Sequence, residues 1–407
     1  MTSHRTLALI LAGGKGSRLG VLTEQRSKPA MPFAGVFRLI DIPLSNILHS
    51  GLSDVWIIEQ YEPHSLNEHL ASGRPWDLDR TRGGLRLMPP YEGGTEEGFA
   101  QGNADAIYQH RHFIREFDPE LIVVLSADHL YKLDYSRVIA QHHERDAKLT
   151  VVTTRVAREE ASRFAVVEVG DDGRVTRFDY KPEKPRTDLV TAEIFVYDGE
   201  LLLDTLEQLA EGGDSGEALR DYGHSLLPRL VEQGRVYEYR HEGYWRDAGT
   251  LESYWQVHME LLAAEPELAL DDPHWPILTR DPQRLPARIH ASARIDNSLI
   301  SPGCVIQGQV EHSVLSPGVV IEEGAVVRDS VLLHDVRVRA GARVHKGILD
   351  ERVVVGRDAR VGGLDPSDDA GELTLIGMNV EIPSGEHVKA GAQLEPPAKR
   401  QGARKKT

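Results

Sequence analysis

From Pro286 onward an apolar residue recurs every six positions, at Val314, Val320, Val326, Leu332, Val338 and Val344. A helix repeats its buried face every 3.6 residues and a strand every two, so neither produces that period. A parallel β-helix with three short strands per coil does, because each hexad sets one residue on the inner wall. Ser301-Pro302-Gly303, Ser316-Pro317-Gly318 and Ala340-Gly341-Ala342 supply corner residues at suitable intervals. A β-sandwich with fortuitous spacing is the alternative.

The part before Pro286 has a different texture. Short apolar strands alternate with polar stretches of helical length, the clearest strands being Leu7–Leu11, Val55–Ile58, Leu121–Leu125 and Thr150–Thr154. That is the pattern of an α/β layered domain, in which ligands gather at the carboxyl ends of the strands. Gly13 and Asp128 occupy that position. The first strand runs into Gly13-Gly14-Lys15-Gly16, with Arg18 and Lys28 following. Glycines permit positive φ and expose backbone N–H groups while Lys and Arg share charge with phosphate oxygens, so a polyphosphate is the expected ligand. Neither GxGxxG nor GxxxxGK[ST] is present.

With 47 Lys and Arg against 63 Asp and Glu, the net charge is −16. Such a surface repels nucleic acid and acidic membranes, so an anionic substrate needs a local cationic pocket and a metal ion. Leu7–Leu11 is too short for a signal or membrane segment, and one cysteine, Cys304, gives neither an internal disulfide nor a zinc cluster. A cytoplasmic protein is expected. The tail, with Lys399-Arg400 and Arg404-Lys405-Lys406 after Pro396-Pro397, reads as a solvated disordered end.

Leu11-Ala12-Gly13-Gly14-Lys15-Gly16-Ser17-Arg18-Leu19 and Arg26-Ser27-Lys28-Pro29-Ala30 resemble the start of the nucleoside-diphosphate-sugar pyrophosphorylases, and within them the glucose-1-phosphate adenylyltransferases. The likeness recurs at Phe37-Arg38-Leu39-Ile40-Asp41, Leu44-Ser45-Asn46, Gly102-Asn103-Ala104-Asp105-Ala106, Ala127-Asp128-His129, Lys181-Pro182 and Tyr244-Trp245-Arg246-Asp247-Ala248-Gly249-Thr250. It implies an α/β, Rossmann-like nucleotidyltransferase domain with a GT-A type mixed sheet over residues 1–260. A linker (261–285), a left-handed parallel β-helix (286–395) and the basic tail (396–407) complete the expected organisation. The implied reaction is attack of a sugar 1-phosphate on the α-phosphorus of a nucleoside triphosphate with release of pyrophosphate.

The resemblance assigns Arg18, Lys28 and Asp128 to catalysis and Asp128 and Asp247 to Mg²⁺, whose preference for hard oxygen ligands suits carboxylates. Leu11, Ala12, Gly13, Gly14, Lys15, Glu92, Gly102, Asn103 and Asp105 would hold the nucleotide, and Tyr180, Lys181, Thr191 and Glu193 the sugar phosphate. It further implies a homo-oligomer, tetramer or dimer. Some β-helical relatives are acyltransferases, but His312, His334 and His345 read as surface residues of the coils rather than as a general base.

The departures from the family pattern fall in the specificity elements. Pro-Ala-Gln-Gln-Arg becomes Pro89-Pro90-Tyr91-Glu92-Gly93, whose carboxylate accepts from guanine N1–H and N2 but cannot donate to adenine. Glu-Lys-Pro becomes Tyr180-Lys181-Pro182, and Ser-Met-Gly becomes Thr191-Ala192-Glu193. These changes lead to an expectation of a glucose analogue such as the cyclitol valienol 1-phosphate with GTP, against ATP with glucose 1-phosphate as the alternative. A catalytically silent paralogue is the third reading, and retention of Arg18, Lys28, Asp128, Lys181 and Asp247 argues against it.

Overall fold

The computed structural model describes residues 5–14, 16–90, 100, 102–211, 219, 222–363 and 371–397. In chain order the strands before the coils are β1 (Thr6–Ala12), β2 (Pro32–Phe33), β3 (Phe37–Arg38), β4 (Asp54–Glu59), β5 (Gly84–Met88), β6 (Leu121–Ser126), β7 (His129–Tyr131), β8 (Leu149–Arg155), β9 (Ala165–Val169), β10 (Val175–Tyr180), β11 (Leu189–Asp198), β12 (Val236–Arg240) and β13 (Trp245–Asp247). The four strands expected from the sequence are β1, β4, β6 and β8.

The main sheet is ordered β10-β9-β11-β6-β1-β4-β5, with β8 pairing both β11 and β12. The strands β6, β1, β4 and β5 run parallel, and β11 returns antiparallel beside β6. Central parallel strands are buried on both faces and therefore carry unbroken apolar runs. In β1, Leu7 and Leu9 enter one core with Trp56, Ile58 and Val124, while Ala8, Ile10 and Ala12 enter the other with Val55, Ile57 and Val123.

Residues 288–394 wind into three six-stranded parallel sheets that begin at Arg288–Ile289, Arg294–Asp296 and Leu299–Ile300. This is the left-handed β-helix, and Gly303, Gly318 and Gly341 turn its corners with φ near +80°, +80° and +72°. The strict period of six needs correction. Val320 and Val326 are only half-buried, and the inner wall is instead Ile321, Val327, Leu332, Val338, Val344 and Leu349, all 0–1% exposed. Val314 pairs with Val331 and Val331 with Ile348, so each of these coils takes 17 residues and counting by six slips off the wall once in each.

The middle strands of the third sheet are buried on both faces for a reason that the repeat alone does not contain. Leu315, Leu332 and Leu349 face inward, while Val314, Val331 and Ile348 pack with Leu19, Leu22, Ile42 and Tyr254 of the α/β part. The two halves thus share an apolar interface. His334 lies at this junction rather than on the coil surface. Its side chain is 14% exposed and lies 3.9 Å from Glu351, and burial followed by repulsion from Arg38 pushes its imidazole down to about 3.

Residues 263–287 contain no helix or strand but are pinned to the helix Asp41–His49. Trp275 donates to Asn46 at 2.8 Å, and the Leu278 N–H donates to Ser45 Oγ at 2.9 Å. Lys15, Glu92 and the basic tail from Lys399 onward lie outside the described residues.

Candidate active site

Because β1 and β6 are parallel neighbours, the loop after Ala12 and the Asp128 that follows β6 emerge side by side at the carboxyl edge of the sheet. Leu11 and Ala12 close β1 at this edge. Of the glycines after them, Gly16 and Gly20 adopt positive φ, at +66° and +51°. Gly13 and Gly14 do not. Gly13 is kept small by a neighbour, since a Cβ would come 3.1 Å from Gln60 Cδ, whereas a Cβ on Gly14 would meet nothing within 4 Å. Gly14 therefore leaves open space above the loop, as close approach of a ligand requires.

A two-stranded pairing outside the main sheet brings the second carboxylate in. Strand β13 runs antiparallel to β7 with Asp247 opposite His129, so residues more than a hundred positions apart meet. Lys28 bonds Asp128 Oδ2, and its Nζ lies 3.7 Å from Asp247 Oδ1. Ser126 donates to Asp128 Oδ1. His129 Nε2 is 3.7 Å from Asp128 Oδ1 and 3.8 Å from Asp247 Oδ1. Its Nδ1–H donates to the Ala192 carbonyl at 3.2 Å, which turns the Nε2 toward the acids. Gly249 backs the cluster closely, since a Cβ there would lie 2.6 Å from Asp247 Oδ1 and 2.9 Å from Lys28 Nζ.

The charges hold one another in place. Burial alone would raise the Asp128 carboxyl, but the ammonium of Lys28 and then His129 hold it below the usual carboxylate range. Burial opposes the charge on Lys28, and Asp128 with Asp247 overcomes it, so its pKa is raised. His129 is likewise raised by Asp128, Glu193 and Asp247 against desolvation. Arg18 is exposed at the mouth of the site, close enough to act on Lys28.

One wall of the site carries the residues expected at the sugar phosphate. Lys181 Nζ donates to Tyr180 Oη at 2.8 Å and sits 4.6 Å above that ring, while Tyr180 rests edge-on against His224. Thr191 is buried in β11, and Glu193, two residues on, is within electrostatic reach of His129, Asp128, Asp247 and Lys181. Gly102, Asn103 and Asp105 instead open the helix Asn103–Gln109, where Asp105 accepts from Gln109 Nε2 at 3.3 Å.

Asp128, His129 and Asp247 offer donor atoms within 4.8 Å of one another. Asp247 Oδ1 is buried with no hydrogen-bond partner, and two carboxylate groups beside an imidazole form a donor set that fits a divalent cation. The sequence reading used Asp128 and passed over His129, although Ala127-Asp128-His129 contained the signal. Trp245, which donates to the Ala192 carbonyl at 3.3 Å, and Gly249 carry no sequence signal beyond their place in the motif from Tyr244 to Thr250.

No helix among the described residues is long and apolar enough to cross a membrane. Residues 7–264 match the family model for nucleotidyl transferases, and residues 285–388 match the model for the GlmU-like C-terminal hexapeptide region. Glucose-1-phosphate adenylyltransferase of Thermomicrobium roseum is 43% identical over 401 residues, covering 96% of this chain and 93% of the relative. The enzyme of the same name from Desulforamulus reducens is 38% identical over 397 residues, covering 97% and 99%. That of Fervidobacterium nodosum is 40% identical over 356 residues, covering 88% and 85%. With the acid pair, the buried lysine and the glycine loop on one sheet edge, this chain belongs to the nucleotidyl transferase family and is a nucleotidyltransferase enzyme with a hexapeptide-repeat second domain.

Proposed function

We propose that the chain transfers the nucleotidyl group of a nucleoside triphosphate to a sugar-type 1-phosphate and releases pyrophosphate. An oxygen of the acceptor phosphate forms the new bond to the α-phosphorus, and the bond from that phosphorus to the β-phosphate bridging oxygen breaks. Both partners are anions, so neutralising their charge is the main task of the site. The observation that carries the reading is the convergence of Lys28, Asp128 and Asp247, with one Asp247 oxygen unpartnered, beside a glycine loop that leaves room for phosphates.

Lys28 and Arg18 would neutralise the triphosphate, Leu11 to Gly14 would present backbone N–H groups to it, and Lys181 would hold the acceptor phosphate. Gly102, Asn103 and Asp105 stand as candidates for the nucleoside. Asp128 and Asp247 would hold Mg²⁺, which when bound supplies positive charge to the reacting phosphates. The relatives' shared name favours ATP and glucose 1-phosphate as the first pair. The guanine reading rests on Glu92 alone. A glucose analogue such as valienol 1-phosphate remains the second reading for the acceptor because of Tyr180 and Glu193. A cytoplasmic homo-oligomer completes the proposal.

The test is pyrophosphate release with Mg²⁺ across ATP, GTP, UTP and CTP against glucose 1-phosphate and valienol 1-phosphate. The expected strongest pair is ATP with glucose 1-phosphate, and Asp128→Asn is expected to abolish release while keeping the far-UV spectrum of the fold. Wild-type turnover by Asp128→Asn removes the assigned role, and silence with every pair removes the proposal.

A further inference from the structure

Glu193 has a backbone conformation that its side chain disfavours. It lies within the ten-residue strand β11 at φ +54°, a left-handed value that glycine adopts readily and a glutamate rarely does. The pairing of β11 with β8 loses register between Thr191 and Phe195, so the strand bulges there. Bulges commonly re-aim a side chain beside a site. The bulge is fixed from outside the strand by two donors on one carbonyl, since His129 Nδ1 and Trp245 Nε1 reach Ala192 at 3.2 and 3.3 Å. Trp245 is itself held edge-on between His129 and Phe164, with ring centroids at 5.0 and 5.3 Å.

A strained residue persists where its surroundings over-determine it, and such residues concentrate at functional sites. Lys181 on the same wall repeats the pattern, with φ +45° and its N–H donated to the Phe164 carbonyl at 3.1 Å. Two L-residues in left-handed backbone thus place an ammonium and a carboxyl group within electrostatic reach of each other.

We infer that Glu193 is a specificity-determining residue for the acceptor, accepting a hydrogen bond from a hydroxyl or ammonium on the acceptor ring while Lys181 takes the acceptor's phosphate. The inference rests on the proposed nucleotidyl transfer to a sugar-type 1-phosphate. A carboxyl group set between His129 and Lys181 pairs with a hydroxyl or ammonium on the ligand, and an ionised acid on the ring would also face Asp128 and Asp247, so it is disfavoured by repulsion. The class selected is a polyhydroxylated or aminated ring 1-phosphate, and uronic acid 1-phosphates are rejected.

The test compares wild type, Glu193→Gly and Glu193→Gln in pyrophosphate release with glucose, glucosamine, glucuronic acid and valienol 1-phosphates. Glycine relieves the backbone, so Glu193→Gly is expected to melt at or above the wild-type temperature. Its KM for the best acceptor is expected to rise about tenfold with KM for the nucleotide unchanged within about twofold, roughly the loss of one hydrogen bond. Its discrimination against glucuronic acid 1-phosphate should fall, and Glu193→Gln should lose most on the aminated acceptor. Wild-type turnover with an acceptor KM unaltered in Glu193→Gly overturns this inference alone. So does an equal rise for nucleotide and acceptor accompanied by a lower melting temperature. Failure of the wild type on every acceptor removes the proposed function and the inference together.

Discussion

Glu59 ends β4 beside Ala12, the last strand residue before the glycine loop, with its side chain buried and Oε1 without a hydrogen-bond partner. Burial pushes its carboxyl from an ordinary 4.5 up to about 7, against a smaller opposing effect from Asn67. The folded protein therefore binds this proton more tightly than the unfolded chain does. The contribution to stability is complete below pH 4.5 and is lost as pH rises through 7. Glu59→Gln should raise the free energy of unfolding by about 1–3 kcal/mol at pH 8 and change it little at pH 5. Urea titrations at the two pH values check this, and equal effects at both would contradict the assignment. The residues around the site were unequally legible. Lys28 and Asp128 could be read because they sit beside punctuation, a proline and a strand end. Glu193 could be named from its motif but its left-handed backbone could not, because propensity argues against a glutamate there and the donors to Ala192 O that brace it come from distant parts of the chain.

At the scale of elements, apolar runs revealed the parallel strands because such strands are buried on both faces. The β7–β13 ribbon was not legible, since three-residue strands carry no period and their partnership depends on the whole intervening chain. The coils were legible in kind but not in register. Ile321 and Val320 are neighbours in one strand, yet Ile321 is fully buried in the coil interior and Val320 is half-exposed. Ile321→Ala should cost about 2–5 kcal/mol by removing buried methyl groups and leaving a cavity. Val320→Ala should cost under about 1 kcal/mol, since most of its surface change is on the outside. Thermal melts of the two variants decide between this register and the strict period of six, which puts Val320 on the inner wall and predicts the opposite order.

For the whole molecule, the seam between the α/β part and the coils combines the apolar contact of Val314, Val331 and Ile348 with a buried cluster of ion pairs. Arg26 Nη2 meets Asp350 Oδ1 at 2.6 Å, with side chains 4% and 1% exposed, and Glu351 adds a second acid 3.6 Å from Arg26. The partners are 324 residues apart, so no local signal could have paired them. Attraction between buried charges roughly offsets the cost of removing them from water, while an unpaired buried charge keeps only the cost. Asp350→Ala leaves Arg26 only the more distant Glu351 and should therefore destabilise the protein by about 3 kcal/mol, the low end for a broken buried pair. In the double variant Arg26→Met with Asp350→Leu, the desolvated charges give way to apolar groups of similar length, and much of that loss should be recovered. Urea unfolding of both variants, followed by tryptophan fluorescence, measures the difference. A double variant no more stable than Asp350→Ala would mean that the pair contributes through its hydrogen bonds and specific geometry rather than by sparing Arg26 an unpaired charge.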